Sequence, residues 1–516
     1  MLTIAASDVP GQSTSCPSGR LTPIVPQEEG NQVMNTPSSY RTSARLGGTS
    51  RDDLAMAEIR QRIVGLDVKA PLLDGSKRPY VNFDNAATTP ALWDVLETLD
   101  LFMPWYSSIH RGKGFKSEIS SEAYDDAREI VGRFFGADMS SQVVIFVKNT
   151  TEAVNKAARR IGLGKDDVVL LSLMEHHSND LPWRAQATVV HIALRGDGSL
   201  DMDDVRAKFE QYGKRVKLLA VTGASNVTGY INPLHELAEL AHSYGALILA
   251  DAAQLAPHRS IHIRPASDPG HLDFLVASAH KMYAPFGTGV LIGPRKVFSE
   301  GAPDYSGGGT VEIVTEDAVY WAGPPDREEA GSPNVIGAVA MAAACKALNE
   351  IGMDRLAAHE ADLTRYALTE LHKIEGIEIY GDADPANAAN RLGVIPFNLH
   401  GLSHYLVSAV LSYEYGIGVR NGCFCAHPYV LHLMDIPEPV AWSWRKQVVA
   451  GMRAHLPGLV RISFGCYNTA EEVDWLVHAL HNIASGEIAG AYEQDRASGA
   501  YHERTFHPEL EQYFKL

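Results

Sequence analysis

Cysteine and basic residues are scarce in this chain of 516 residues, and both shortages limit the class of protein to which it can belong. The cysteines are five, an odd and scattered set, so a disulfide framework is excluded and a reducing cytoplasm is favoured. Lysine and arginine total 45 against 62 acidic residues, which gives a net charge of −17. Binding of nucleic acid requires a basic protein surface, so this acidic composition favours small-molecule or protein partners instead.

Long apolar runs are also missing. No run reaches the ~18 residues needed to cross a bilayer, and the first residues lack the basic start and apolar core of a signal peptide, so we expect neither a membrane partner nor secretion. Residues 1–50 are rich in Ser, Thr, Pro, Gly and Gln, which predicts a disordered leader. The tail, residues 487–516, is charged with scattered aromatics and has no assigned role.

Between these ends, the pattern predicts two domains of different character. In residues 51–354, a first helix at 54–64 precedes apolar strands that alternate with helices, which indicates a mainly parallel sheet flanked by helices. Strands are predicted at 143–147, 168–172, 218–221 and 246–250, with helices at 233–244 and 335–348. Residues 355–486 read as a smaller α+β domain, with strands at 377–380, 392–397, 417–420 and 459–464 and a capping box at Thr469.

Two of the apolar strands end in chemically useful side chains. Lys281 closes one, and Asp251 closes the strand before it. Alone, Lys281 could be an edge residue that reaches water or a functional amine whose pKa is lowered by its surroundings. Because carboxyl ends of parallel strands gather at one edge, the amine and the carboxylate should meet there. That pair suits pyridoxal 5'-phosphate, which needs a lysine to bind it and an aspartate to keep its ring nitrogen protonated.

The segment Ser-Ala-His-Lys281-Met-Tyr-Ala-Pro resembles the cofactor-lysine motif of class V aminotransferase-fold enzymes, in particular SufS-type cysteine desulfurases and selenocysteine lyases. Asp84-Asn-Ala-Ala-Thr-Thr and His110-Arg-Gly112 continue the likeness, which covers about residues 55–485. It implies an α/β protein of the fold type I of pyridoxal-phosphate-dependent transferases and a homodimer with shared active sites. Locally, Thr88 or Thr89 before Pro90 also predicts an ordinary helix N-cap.

The resemblance also implies a set of cofactor-binding roles. Several of these residues have plain structural interpretations as well, since Asn149–Glu152 reads as a capped helix start and His176-His177 as a polar loop without zinc-like spacing. The implied roles are phosphate binding for Thr150, Thr151, Ser278 and His280, ring stacking for His176, contact with the phenolic oxygen for Asn226 and Gln254, and a hydroxyl for the neighbouring subunit's phosphate from Ser332.

A loop with two cysteines, Arg420-Asn-Gly-Cys423-Phe-Cys425-Ala-His-Pro, separates two strands of the smaller domain. It lacks further ligands for a metal, and Cys-x-Cys is a poor disulfide ring, which leaves a reactive thiol beside Arg420. The loop resembles the desulfurase motif that makes Cys425 the persulfide-forming nucleophile, and also the corresponding loop of molybdenum-cofactor sulfurases. Cys423 has no counterpart in the desulfurase motif.

Arg461 matches the family arginine that binds the substrate carboxylate, and Arg420 and Asn226 are further substrate-binding candidates. Residues 435–459 depart from the family pattern. No metal ligand is predicted. The leading hypothesis is a cysteine desulfurase that takes sulfur from L-cysteine, releases alanine and passes sulfur to a possible protein acceptor. Alternatives on the same fold are a selenocysteine lyase, a molybdenum-cofactor sulfurase, an epimerase, another lyase or an aminotransferase. A catalytically silent binding protein is the alternative from another class.

Overall fold

The structure, a computed structural model, describes residues 51–109 and 112–516. The predicted leader and the first two residues of the His110-Arg-Gly112 motif lie outside the described residues.

Helices and strands alternate along most of the described chain. The helices are α1 (Arg51–Gln61), α2 (Trp93–Phe102), α3 (Phe115–Phe134), α4 (Thr150–Arg160), α5 (Leu181–Arg184), α6 (Met202–Tyr212), α7 (Leu234–Ser243), α8 (Arg295–Ser299), α9 (Val335–Ile351), α10 (Met353–Leu371), α11 (His404–Tyr415), α12 (His427–Leu433), α13 (Glu438–Val449) and α14 (Ala470–Ala484). The strands are β1 (Lys69–Pro71), β2 (Lys77–Pro79), β3 (Val81–Asn82), β4 (Gln142–Val147), β5 (Val168–Ser172), β6 (Thr188–Ile192), β7 (Val216–Thr222), β8 (Leu247–Asp251), β9 (Phe274–Ser278), β10 (Gly289–Pro294), β11 (Val311–Val314), β12 (Val319–Trp321), β13 (Ile377–Ile379), β14 (Val394–Leu399), β15 (Ile417–Gly418), β16 (Arg420–Gly422), β17 (Leu459–Ser463), β18 (Tyr492–Gln494) and β19 (Tyr501–Glu503).

A seven-stranded sheet forms the centre of the larger part, in the order β4-β10-β9-β8-β7-β5-β6. Strands β9, β8, β7, β5 and β6 pair in parallel, and β10 runs antiparallel to both of its neighbours. Strands β4, β5 and β9 are buried along their whole length, with apolar clusters on both faces of the sheet. Continuous apolar runs are what a sheet covered on both faces requires, so the predicted α/β fold is confirmed.

A second, antiparallel sheet has the order β13-β14-β17-β16 and its own apolar core. That core includes Val81 and Phe83 from the start of the described chain, and β3 pairs in parallel with β15. The prediction of a single strand at residues 417–420 is wrong. It is two short strands, β15 and β16, in different sheets, because Ile417 pairs with Val81 whereas Arg420 pairs with Arg461. The predicted domain boundary near residue 355 stays a prediction.

Two cap predictions have opposite outcomes. Thr469 and Glu472 form the predicted capping box at the start of α14. The N-cap predicted at Thr88 or Thr89 is wrong, because α2 starts at Trp93 and both threonine hydroxyls donate to the His280 carbonyl oxygen, at 3.0 and 3.2 Å. That contact joins the Asp84 loop to the end of β9.

Among residues 51–109 and 112–516, no single helix is both long enough and apolar enough to cross a membrane. Helices α9 and α10 satisfy a length and composition criterion only together, as a pair bent by 73°.

Candidate active site

A cavity of about 260 Å³ opens at the carboxyl ends of β5, β7, β8 and β9. Apart from Ser332, the predicted site residues all line it. These are Thr150, Thr151, His176, Asn226, Asp251, Gln254, Ser278, His280, Lys281, Arg420, Cys425 and Arg461. The convergence follows from parallel pairing, which brings the ends of strands distant in sequence to one edge.

Lys281 sits in a short 3₁₀ turn directly after β9, and its Nζ lies 3.3 Å from Gln254 Oε1. Burial lowers the pKa of Lys281 to about 8, although the nearby Asp251 carboxylate acts in the opposite direction. Asp251, at the end of β8, is buried, and its Oδ1 accepts a hydrogen bond of 2.9 Å from the Ala253 N–H. Burial raises the pKa of this carboxyl. The cavity therefore holds an activated amine and a carboxylate that benefits from a cationic partner.

His176 offers an uncharged ring to the same cavity. Its Nδ1 accepts a hydrogen bond of 3.1 Å from the Ser178 N–H, which leaves the ring proton on Nε2. Burial, and then the charge of Lys281, lowers the pKa of His176 to about 4. A flat neutral ring at pH 7 suits stacking against another flat ring.

The first turn of α4 borders the cavity with hydroxyls and backbone N–H groups. Asn149 caps the helix by accepting from the Glu152 N–H, as its sequence predicted. The hydroxyls of Thr150 and Ser278 lie 2.7 Å apart, and the Ser278 oxygen also accepts from the Thr150 N–H at 2.8 Å. Thr151 pairs with the hydroxyl of Ser178, also at 2.7 Å. A helix N-terminus lined in this way attracts anions.

Arg461 is buried on β17, and its guanidinium has a hydrogen-bond donor without a partner. Its two terminal nitrogens donate to the Asn226 carbonyl oxygen at 2.9 Å and to Asp84 Oδ1 at 2.8 Å. Its Nε is buried without a hydrogen-bond partner. Burial lowers the pKa of Arg461, and Asp84 opposes that shift. A buried guanidinium with a free donor calls for an acceptor such as a carboxylate.

Cys425 lies in the loop between β16 and α12 and is exposed, whereas Cys423 is half-buried. Phe424 and Cys425 adopt left-handed backbone conformations, with φ of 51° and 56°. The loop is tied down by the Asn226 amide, which donates to the Phe424 carbonyl at 2.9 Å, and by the His177 N–H, which donates to the Cys425 carbonyl at 2.8 Å. The strained conformation thus holds the Cys425 thiol at the cavity wall.

The second thiol faces a different environment. Cys423 Sγ lies 3.4 Å from the Pro457 carbonyl oxygen. Burial, and to a smaller degree the charge of Cys425, raises the pKa of Cys423 to about 11. This thiol is protonated at neutral pH and is a poor nucleophile.

One predicted site residue lies away from the others in the structure, and three residues that were not predicted belong to the site. Ser332 lines another cavity, together with Tyr106 and Ile109. Sequence reasoning missed Asp84, Phe424 and Ser178. Asp84 opens the quoted Asp-Asn-Ala-Ala-Thr-Thr motif, so its position in that motif was an available signal. Phe424, whose ring lies 4.8 Å from the Arg461 guanidinium, and Ser178 had no comparable signal.

Comparisons with known proteins show which family this chain is similar to. The family model for class-V aminotransferases matches residues 81–476. A cysteine desulfurase of Haloferax volcanii is 35% identical over 432 residues, which cover 82% of this chain and 94% of the relative. A probable cysteine desulfurase of Halalkalibacterium halodurans is 34% identical over 421 residues, 80% of this chain and 95% of the relative. The apo structure of a cysteine desulfurase from Thermococcus onnurineus has a TM-score of 0.69 at 32% identity, covering 79% of this chain and 95% of that one.

Proposed function

Because the chain belongs to the class-V aminotransferase family, we propose that it is a pyridoxal-phosphate-dependent cysteine desulfurase. In this reaction L-cysteine gives its sulfur to Cys425 and leaves as L-alanine. The observation that carries the proposal is that one cavity is lined by the Lys281 amine, the buried Arg461 and the Cys425 thiol. An aminotransferase or epimerase has no use for that thiol.

Members of this family use pyridoxal 5'-phosphate, and the residues of the cavity fit it chemically. The first turn of α4, with Thr150, Thr151 and Ser278, would hold the phosphate. Neutral His176 would stack on the ring, and buried Asp251 would pair with the ring nitrogen. Gln254 and Asn226 would contact the phenolic oxygen, and His280, which also lines the cavity, would help to hold the phosphate. When bound, the cofactor supplies an electron sink that weakens the Cα–H bond of the substrate.

Arg461, which lines the cavity, would bind the substrate carboxylate, with Asp84 holding the guanidinium in place. Arg420, whose Nη1 is 3.7 Å from Asp84 Oδ2, adds positive charge at the same wall. The Lys281 amine would then move the proton at the substrate Cα, because a lowered pKa makes it an effective base near neutral pH.

Sulfur transfer would follow by attack of the Cys425 thiolate on the substrate sulfur. A new S–S bond forms while the C–S bond of the substrate breaks, and the electron pair of that bond stays with the substrate carbon. The carbon takes a proton and the product leaves as alanine. Cys425 keeps the sulfur as a persulfide, which an acceptor thiol can remove because the residue is exposed.

Further parts of the proposal concern assembly and context. We propose a homodimer in which Ser332 serves the phosphate of the neighbouring subunit, since Ser332 lies outside the Lys281 cavity of its own chain. We also propose a protein sulfur acceptor, a cytoplasmic location, and a division into a large domain at 51–354 and a small one at 355–486. The separate apolar core of the second sheet supports that division.

The test is product analysis with paired cysteine variants. Purified enzyme loaded with pyridoxal phosphate should release alanine from L-cysteine and carry a persulfide that alkylation and mass spectrometry map to Cys425. Cys425→Ser should lose alanine release while it keeps the cofactor absorbance, and Cys423→Ser should retain at least about half of the turnover because its thiol is protonated. Formation of an α-keto acid or of D-cysteine without alanine, or full turnover by Cys425→Ser, would contradict the proposal.

A further inference from the structure

Three metal-ligating side chains meet at the edge of the large sheet opposite the active site. His242 lies in the last turn of α7, His271 in the loop before β9, and Asp273 directly precedes β9. Their ligand atoms all lie within 4.8 Å of one another. His242 Nε2 is 3.0 Å from Asp273 Oδ2, and His271 Nε2 is 3.5 Å from Asp273 Oδ1. The two imidazole rings stack with centroids 4.2 Å apart.

The other ring nitrogens reveal where the protons are. His242 Nδ1 lies 2.6 Å from the Pro269 carbonyl oxygen, and His271 Nδ1 lies 2.7 Å from the Asp268 carbonyl oxygen. A carbonyl oxygen only accepts, so each Nδ1 carries a proton, and Nε2 has a lone pair when the ring is neutral or a second proton when it is cationic. Both Nε2 atoms lie beside the Asp273 carboxylate, whose oxygens only accept. A proton on His242 Nε2, which lies 3.0 Å from Asp273 Oδ2, satisfies one of these contacts but leaves His271 Nε2 facing Asp273 Oδ1 at 3.5 Å.

One metal ion can contact both histidine Nε2 atoms and the carboxylate, whereas a single proton on His242 serves only one of the two rings. Protonation of both rings would stack two cations at 4.2 Å against one carboxylate, whereas one divalent ion binds both nitrogens and the carboxylate at once. Bonds of about 2.0 Å to a tetrahedral ion place ligand atoms about 3.3 Å apart, and the three ligand atoms here lie within 4.8 Å of one another. An imidazole that donates its second N–H to a backbone carbonyl is also the usual orientation of a metal-bound histidine. The Ile248 N–H orients Asp273 by donating to Oδ2 at 2.9 Å.

We propose that His242, His271 and Asp273 bind a divalent transition-metal ion of the Zn²⁺ class. Two imidazoles and one carboxylate favour such an ion over Mg²⁺ or Ca²⁺, which prefer all-oxygen sites. The two histidine side chains are 19% and 18% exposed, which leaves a fourth position for water. The ion ties the end of α7 and the loop before β9 to the amino ends of β8 and β9. Its effect is on stability, because Lys281 and Asp251 lie at the carboxyl ends of the same strands.

The first experiment measures zinc binding to the full chain loaded with pyridoxal phosphate, after removal of metal with a chelator. Titration of Zn²⁺ against a chromophoric competitor should reveal one site that His271→Gln and His242→Gln each weaken by more than about 100-fold. His235→Gln is the matched control, because His235 also bonds a carbonyl of this loop, that of Gly270, but lies outside the cluster. Zinc should raise the midpoint of thermal unfolding for the wild type and for His235→Gln, and not for His271→Gln.

Equal zinc content and affinity in the wild type and His271→Gln would overturn the proposal. If the histidine variants fail to fold, Co²⁺ added to the metal-free wild type gives a test without mutation. Visible bands of a four-coordinate nitrogen and oxygen site, without thiolate charge transfer, support the proposal. No binding, or binding with thiolate bands alone, overturns it. Metal-free His271→Gln should release alanine at the wild-type rate, which separates this site from the catalytic one.

Discussion

Burial of the Lys281 amine disfavours its charged form, and the neutral form that results is the reactive one. The residue lies in the turn directly after β9, and its Nζ contacts Gln254. An edge lysine reaching water, the alternative allowed by the sequence, would keep the pKa of an ordinary lysine. The lowered pKa, about 8, favours the functional amine.

The pH dependence of cofactor attachment tests this role of Lys281. The neutral amine is the reactive form, so the rate of covalent attachment to the apoenzyme should rise about tenfold per pH unit below pH 8 and level off above it. Borohydride trapping and peptide mapping should place the adduct on Lys281. Lys281→Ala should bind cofactor without an adduct. An adduct on another lysine, or a rate that keeps rising towards pH 10.5, would remove the assignment.

Asp84 offers a second test at the scale of single residues. Its carboxylate accepts a hydrogen bond of 2.8 Å from the Arg461 guanidinium, which we propose binds the substrate carboxylate. Asp84→Asn should raise the KM for L-cysteine by about tenfold, because it loosens a charge-assisted contact worth about 1.4 kcal/mol, and should change kcat less. Steady-state kinetics measures both constants. A lowered kcat with an unchanged KM would place Asp84 in the chemistry instead.

Helix α4 and the loop between β16 and α12, which holds Cys425, present side chains to the cavity in different ways. Helix α4 does so through regular geometry, since its first turn leaves N–H groups and hydroxyls pointing outwards. The loop does so through strain, since neither Phe424 nor Cys425 is a glycine and both have positive φ. Bonds from Asn226 and His177 to the loop carbonyls maintain that conformation.

Removal of one hydroxyl at the start of α4 tests its role as a phosphate site. Thr151→Val keeps the side-chain volume and should weaken pyridoxal phosphate binding by about tenfold, the loss of one charge-assisted hydrogen bond. Because Thr151 is exposed, the free energy of unfolding of the apoenzyme should change by no more than about 0.5 kcal/mol. Thr369→Val, on the exposed face of α10, is the control and should leave cofactor affinity unchanged. Equal affinities for both variants would exclude Thr151 from the site.

For the whole molecule, Glu360 on α10 links the two cores. Its carboxylate accepts from Arg259 and the Gly393 N–H and lies 2.9 Å from His258 Nδ1. His258 and Arg259 follow β8, and Gly393 directly precedes β14 of the second sheet. Burial alone would raise the pKa of Glu360, but His258 and Arg259 outweigh it and lower the pKa to about 2.

The lowered pKa of Glu360 means that its ionised form stabilises the fold. This stabilisation is complete above the ordinary pKa of 4.5 and is lost as the pH falls towards 2. Glu360→Gln should therefore reduce the free energy of unfolding at pH 7 by about 3 kcal/mol and flatten the acid limb of the stability profile. Urea unfolding between pH 7 and pH 3 measures both effects. Asp362→Asn, an exposed pair with Arg365 on the same helix, should change stability by less than about 1 kcal/mol. Similar losses in the two variants would contradict a special role for Glu360.

Periodicity and strand-end chemistry in the sequence were enough to predict the α/β sheet, the gathering of Asp251, Asn226 and Lys281 at one edge, and the capped start of α4. These features depend on local patterns and on the rule that parallel strands present their carboxyl ends together. The resemblance placed Arg461, from strand β17 of the second sheet, and Cys425, from the loop after β16, in the same site.

Only the tertiary structure decided the features that depend on distant partners. The threonines before Pro90 bond the His280 carbonyl instead of capping α2, and the strand predicted at 417–420 divides between two sheets. The unsatisfied Nε of Arg461 and the cluster of His242, His271 and Asp273 are likewise invisible in a linear pattern, because each depends on side chains that folding alone brings within a few ångströms. Sequence periodicity records which face of an element is buried, whereas the partner it meets there is set by how the elements pack.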